Sequence, residues 1–363
     1  MTSAFITRRQ LGFLGAAAAA AAGLVLPTLA QAQAKRPYLA DMHSHYAMYG
    51  QRIFGQDLPK HMRDTGTTLL AWSIVDDTRW TGPTREGPRQ QRVPTPGELW
   101  EFFQARLSEL NARLAQWGLA KALTPADVDA ALAGEPRVVL AAEGANFLEG
   151  QPERLAEVHA AGVRHVQLVH FIQSPLGDHQ TAEPRHGGLT AVGAKVVAEC
   201  KRLGMVVDLA HGTAAMVDGA LDASDAAPVW SHSWISPQGG NWQDQGHIAR
   251  SLSPASAKKI AARGGAVGLW SVRVLDPFYP LKGVASYADE VLRMCELIGP
   301  DHVAFGTDMS GAGRNPILSN YVDLRDVADN LAKRGLSDTA LDNVFIGNYA
   351  RIVKAAMNGA PRA

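Results

Sequence analysis

The sequence has little cysteine: two residues, Cys200 and Cys295, in a chain of 363. That excludes a disulfide framework, a zinc finger and a thiolate-held iron–sulfur cluster, and allows one bridge at most. Net charge is absent too. Lys+Arg and Asp+Glu number 35 each, so the formal charge is zero, which argues against a nucleic-acid binder held by phosphate contacts. Beyond the N-terminal segment no stretch reaches 18 uninterrupted apolar residues, so no membrane-spanning helix is expected there. No repeat or low-complexity linker divides the chain, and no glycine fingerprint of a dinucleotide-binding sheet follows the first strand. With 46% hydrophobic and 19% charged residues the balance is that of a globular protein, not a disordered one.

The chain opens with Thr7-Arg8-Arg9-Gln10-Leu11-Gly12, followed by small apolar residues from Phe13 to about Leu26. Ala30-Gln31-Ala32 and Ala32-Gln33-Ala34 come next. A basic start, an apolar middle and an A-x-A end predict a cleavable export signal, and the paired arginines predict the twin-arginine route. Residues 1–34 are thus expected to be removed, leaving 35–363 as the mature, periplasmic or secreted domain.

Short, nearly continuous apolar runs recur eight times: Tyr38–His43, Thr67–Val75, Arg137–Glu143, Val163–His170, Met205–His211, Pro228–His232, Gly265–Trp270 and His302–Asp308. They read as strands buried on both faces. Helical periodicity marks Leu99–Trp117, Thr190–Leu203, Pro254–Arg263, Ser286–Ile298, Asp323–Lys333 and Asp338–Met357. Eight such alternations predict a single-domain (β/α)8 TIM barrel with loop insertions; a doubly wound open sheet is the alternative.

Ionisable residues gather at the C-terminal ends of these strands. The first ends in Asp41-Met42-His43-Ser44-His45, the third in Glu143, the fourth in His170, the fifth in His211, the sixth in His232 and the eighth in Asp308. In a barrel those ends share one mouth, where active sites sit. Residues two apart on a strand face the same side, so His43 and His45 present two imidazoles to one space and can chelate a divalent metal. Burying so many ionisable groups together is costly without a metal. His61, His159, His165, His179, His186, His247 and His302 read as ordinary surface or supporting groups, and Trp234, Trp242 and Trp270 as barrel packing or pocket lining.

These residues resemble the membrane dipeptidase family, peptidase family M19. Gly188-Leu189-Thr190, Gly193 and Arg202-Leu203-Gly204-Met205-Val206-Val207-Asp208-Leu209-Ala210-His211 are similar to its G-L-T-x-x-G…R-L-G-M-x-x-D-L-S-H run. Trp230-Ser231-His232-Ser233, Glu143-Gly144, Val169-His170 with Pro175 and Asp178, Gly306-Thr307-Asp308, and Gly347-Asn348-Tyr349-Ala350-Arg351-Ile352 match its other motifs in order. The resemblance implies a zinc hydrolase with two metal ions per chain that splits dipeptides with a free C-terminus, using a hydroxide shared by the ions. It implies that His43 and His45 hold the first ion, Glu143 bridges both, and His211 and His232 hold the second. His170 would contact the substrate and its developing oxyanion, Asp308 would handle the proton of the attacking water, and Arg250 would bind the substrate carboxylate. A homodimer is also implied.

The chain departs from the family pattern twice. His45 stands where the family has Asp, removing one negative charge and predicting altered metal preference or weaker occupancy at the first site. The segment Trp234–Ala249 is longer than its counterpart and is expected to move Arg250 away from His232. These departures leave two alternatives: a metal-dependent amidohydrolase acting on a modified peptide, an N-acyl amine or a lactone, and a non-catalytic metal- or ligand-binding barrel.

Overall fold

In the computed structural model, residues 37–48, 57–84, 87–244, 246–273, 279–311 and 316–359 are described. The export signal read in residues 1–34 lies outside them. Every expected apolar run contains a strand. In chain order the strands are β1 Leu39–Ser44, β2 Thr67–Val75, β3 Thr81–Thr84, β4 Gly87–Gln90, β5 Arg137–Glu143, β6 Val163–Gln167, β7 Val206–Asp208, β8 Val229–Ser233, β9 Ala266–Leu269 and β10 Val303–Phe305. Eight of them form one parallel sheet in the order β1-β2-β5-β6-β7-β8-β9-β10, while β3 and β4 make a separate hairpin. The sheet curls until its two edges meet. Ser44 bridges Met309, His45 N–H donates to the Met309 carbonyl at 2.8 Å, and Asp308 N–H donates to the His43 carbonyl at 3.0 Å.

The helices are α1 Leu58–Thr65, α2 Glu98–Trp117, α3 Pro125–Leu132, α4 Arg154–Ala160, α5 Ala191–Leu203, α6 Ala214–Ala223, α7 Pro254–Ala262, α8 Val284–Ile298, α9 Tyr321–Lys333, α10 Asp338–Asp342 and α11 Asn348–Gly359. With the parallel strands they make a (β/α)8 barrel. The single helix expected over Asp338–Met357 is instead interrupted by a π-turn at Asn343–Gly347. Beyond that turn the buried Asn348 amide donates to the Pro300 and Val303 carbonyls at 2.7 and 2.8 Å, which fixes α11 to the last strand. Among the described residues no helix is long and apolar enough to cross a membrane, and both cysteines are free.

Two apolar layers hold the barrel. Small side chains from the strands (Ala40, Ala71, Ala141, Ala266 and Ala304) pack inside it with Met42, Val139 and Val229. Tyr349, Ile352 and Val353 of α11 join this inner cluster and close the N-terminal end. A larger layer lies between the strands and the surrounding helices, with Trp72, Trp230, Leu140 and Phe305 among its members.

Irregularities in two strands aim the polar residues. In β1, Asp41 pairs with Leu70 and Ser44 with Trp72, so β1 carries one residue more than β2 over this interval. This β-bulge breaks the two-residue alternation. Asp41 and Ser44 both meet the Tyr321 hydroxyl, at 2.7 and 2.6 Å, while His43 and His45 both turn to the mouth. Asp41 also accepts from Thr307 N–H at 2.9 Å and Thr307 Oγ1 at 2.6 Å, latching the end of β1 to the turn after β10. In β8, Trp230 pairs with Val267 and Ser233 with Leu269, again one residue too many. The Ser231 carbonyl is thereby brought against Gly268 and Gly306, where a Cβ on either glycine would overlap it.

Gly306→Ala is therefore expected to lower folding stability by at least about 1–3 kcal/mol, the usual cost of forcing volume into a packed site. A denaturant midpoint unchanged from the parent protein would show that the β8 bulge does not set this requirement.

Candidate metal centre

Five imidazoles and one carboxylate converge at the C-terminal mouth. Glu143, the last residue of β5, is 4% exposed. Its Oε1 lies 3.3 Å from His43 Nε2, 3.2 Å from His170 Nε2, 3.3 Å from His211 Nε2 and 3.5 Å from His232 Nε2. Its Oε2 is 3.2 Å from His45 Nε2. The two histidines of β1 meet at 3.2 Å between Nε2 atoms, and His211 and His232 at 3.1 Å. Asp308 Oδ1 stands 3.4 Å from His45 Nε2.

The donor set fits divalent metal. Two ligands of one tetrahedral zinc ion, each about 2.0–2.1 Å from it, lie about 3.3 Å apart; the observed separations of 3.1 to 3.5 Å match such edges. Four of the rings are also fixed from behind. His45 Nδ1 lies 2.8 Å from the Ser73 carbonyl, His43 Nδ1 3.3 Å from Ser73 Oγ, His232 Nδ1 2.8 Å from Ser231 Oγ, and His170 Nδ1 2.7 Å from Asp77 Oδ1. A partner at the outer nitrogen orients the ring and leaves Nε2 for the centre. His43, His45 and Asp308 form one group able to hold an ion, and Glu143, His211 and His232 another. His43, Asp208 and His232 form a third, but Asp208 Oδ1 accepts from Ala210 N–H and Ser231 N–H, and its Oδ2 lies 3.2 Å from His165.

Electrostatics favours cations here. Burial alone would raise Glu143, but His170 and His43 outweigh it and hold the carboxyl well below its usual range. Burial also pushes His211 and His232 well below the ordinary imidazole value, keeping both rings neutral with free lone pairs. At His45 burial is overcome by Asp308 and Glu143, which push it up to about 10. The carboxylates that retain a proton on His45 would attract a divalent ion equally. Two centre residues, His211 and Asp308, hold left-handed backbone at φ +70° and +55°. Such strain in a non-glycine residue persists only where surrounding structure enforces it.

Arg250 enters from the 3-10 turn Gly246–Arg250. The expectation that the longer Trp234–Ala249 segment moves it away is overturned: its Nη2 lies 3.4 Å from His232 Nε2. A bridge between Ile235 and Leu252 folds the segment back on itself. The guanidinium sits between the Phe171 and Trp270 rings at 5.9 and 5.8 Å. Arg250 is 4% exposed, its Nε has no hydrogen-bond partner, and no carboxylate pairs with it among the described residues.

His179 is buried as a supporting group, with Nδ1 2.9 Å from Thr181 Oγ1. His165 is buried as a supporting group and lies 2.9 Å from the Tyr349 hydroxyl. Asp76 and Asp77, at the end of β2, are fully buried beside the centre and were not singled out. Gly144 follows Glu143 at φ +91°, and a Cβ there would strike Asp76.

The model of membrane dipeptidases (peptidase family M19) matches residues 104–362. The chain belongs to this family. His43 and His45 lie outside the matched stretch. Dipeptidase aclJ of Aspergillus oryzae is 29% identical over 229 residues, covering 59% of this chain and 50% of that protein. Dipeptidase 3 of Rattus norvegicus is 27% identical over 226 residues, covering 58% and 43%. The chain spans about half the length of the curated relatives it matches. Among solved structures, a metallo peptidase from Rhodobacter sphaeroides liganded with a phosphinate mimic of L-Ala-D-Ala superposes with a TM-score of 0.73 at 18% identity, over 88% of this chain and 99% of that one. That likeness shows a shared barrel fold.

Ser231→Ala removes the group behind His232. It is expected to weaken metal retention about 10–100-fold, as loss of such outer partners does in other centres. Competition with a chelator measures this, and unchanged retention would mean that the Ser231 contact does not support the ring.

Proposed function

We propose that this member of the family is a metal-dependent dipeptidase, exported to the periplasm or outside the cell, that hydrolyses the amide bond of dipeptides with a free C-terminus and uses two zinc ions per chain. One observation carries the reading: a buried Arg250, which no carboxylate pairs among the described residues, stands beside a cluster of donors able to hold two metals. In this reading His43 and His45 hold one ion, His211 and His232 the other, and Glu143 is shared by both. The bound ions would supply Lewis-acid activation of the scissile carbonyl and of the attacking water.

The remaining chemistry belongs to the chain's own residues. Arg250 receives the substrate carboxylate in a paired, charge-assisted contact, and Phe171 and Trp270 keep water from its flanks. That contact sets the distance from the free C-terminus to the bond that breaks. Asp308 Oδ takes the proton of the attacking water and returns it to the leaving amine. His170 Nε2 donates to the carbonyl oxygen as it gains charge. In balance, water adds across the C–N bond, giving one carboxylate and one amine.

The test combines metal content with a dipeptide panel read by mass spectrometry. The mature chain is expected to carry about two zinc ions and to release free amino acids. Glu143→Ala is expected to lose both properties, and full activity in that variant would falsify the proposal. Asp308→Asn, assayed with metal in excess, is expected to lower kcat about 10²–10⁴-fold. Arg250→Met is expected to raise KM by roughly 10²-fold or more, since stranding a buried charged partner costs about 2–5 kcal/mol. Cleavage of N-acyl amines or lactones with none of dipeptides would move the chain to another amidohydrolase substrate.

Export is tested separately. Replacing Arg8 and Arg9 together by lysine is expected to leave the protein inside the cell, as cell fractionation would detect; unchanged export would exclude the twin-arginine route.

A further inference from the structure

We infer that Asp77 is a positioning residue that holds His170 at the centre. The inference rests on the proposed role of His170. Asp77 follows β2 and is fully buried. One carboxylate oxygen, Oδ1, lies 2.7 Å from His170 Nδ1. The other, Oδ2, accepts from the Phe171 and Ile172 backbone N–H groups at 2.9 and 3.2 Å. A single side chain therefore grips the imidazole and the two peptide groups that follow it.

The grip answers a local need. β6 ends at Gln167, so His170 stands three residues beyond the sheet and takes no orientation from the strand ladder. Among the described residues Asp77 is the carboxylate at Nδ1, while Nε2 points inward to within 3.2 Å of Glu143 Oε1. A ring turned over about its Cβ–Cγ bond would lose the Asp77 contact and carry Nε2 away from the centre. Asp77 thus decides which nitrogen faces the reacting carbonyl. It touches no substrate in this arrangement and acts only through His170. Phe171, whose ring flanks both His211 and Arg250, is fixed by the same carboxylate, which couples the wall of the pocket to the imidazole.

The experiment is a double-mutant cycle on the metal-loaded, full mature chain with a dipeptide substrate. Asp77→Asn keeps an acceptor oxygen for the Phe171 and Ile172 N–H groups and removes the carboxylate from His170. It is expected to lower kcat about 10–100-fold with KM and bound metal unchanged. His170→Ala is expected to lower kcat about 10²–10³-fold. The double variant is expected to match His170→Ala alone, because the Asp77 effect requires the ring. An Asp77→Asn effect that persists in full without His170 would overturn the inference in favour of a loop-holding role. So would a kcat within about threefold of the parent.

A second readout needs no activity. In the parent chain with 15N-labelled histidine, the Nδ1 proton of His170 is expected as a downfield, slowly exchanging resonance that vanishes in both single variants. If dipeptide hydrolysis is absent but this resonance behaves as expected, the proposed substrate fails and the positioning role stands. If the resonance survives in Asp77→Asn, the positioning role fails whatever the activity.

Discussion

A carboxylate out of water and within 3.2 to 3.5 Å of five imidazoles is stable only when their charges are balanced group by group. Glu143 sets that balance at the mouth. Burial opposes its ionisation, the surrounding rings restore it, and the rings are in turn held to it. No single strand could present five rings to one carboxylate. A barrel can, because its parallel strands all end on the same rim. The rings come from β1, β8 and the turns after β6 and β7, so Glu143 depends on the whole sheet closing correctly. The backbone bonds from His45 to Met309 and from Asp308 to His43 close the sheet at the centre itself, and the Asp41 latch between β1 and the turn after β10 supports them.

Much of this was legible in the sequence, and the reasons for the rest are local. Eight apolar runs with helices between them were sufficient for the barrel, because both-face burial leaves a strong signal. The ionisable ends of six of those runs led to the centre. The spacing of His43 and His45 gave their shared direction but could not say which face they would take. Strict alternation from Met42, which packs inside the barrel, would have turned His43 outward; the extra residue in β1 turned it in. A bulge adds no residue type of its own, so it left no mark. The short helices α1, α3 and α6 escaped a search for long periodic patterns, although each begins at a visible cap: Asp57, Thr124 and Thr213.

Asp77 was missed for a different reason. The rule that found Glu143 at the end of its strand, applied to β2, would have found Asp76-Asp77 as well; the histidines drew attention to the other strands. Arg250 shows the limit of reasoning from loop length. A longer segment does not displace its end when it folds back, and the Ile235–Leu252 bridge together with the 3-10 turn returns Arg250 to His232. His179 reads in the sequence as either a surface or a supporting group; the Asp178 side chain decides between them, accepting from the Arg185, His186 and Gly188 N–H groups and folding that loop inward.

The presence of histidine at position 45 changes how charge is distributed. An aspartate there would add an anion to the first group of donors, whereas His45, as a ligand, would be neutral. Negative charge facing that group then comes from Glu143 on one side and Asp308 on the other, at 3.2 and 3.4 Å from His45 Nε2. In the proposed reading Asp308 would face both a cation and the attacking water. The turn after β10 holds Asp308 in left-handed backbone, which brings its carboxylate within reach of His45. The inner layer closed by α11 lies toward the opposite end of the barrel, and Met42 joins it to the strand that carries His43.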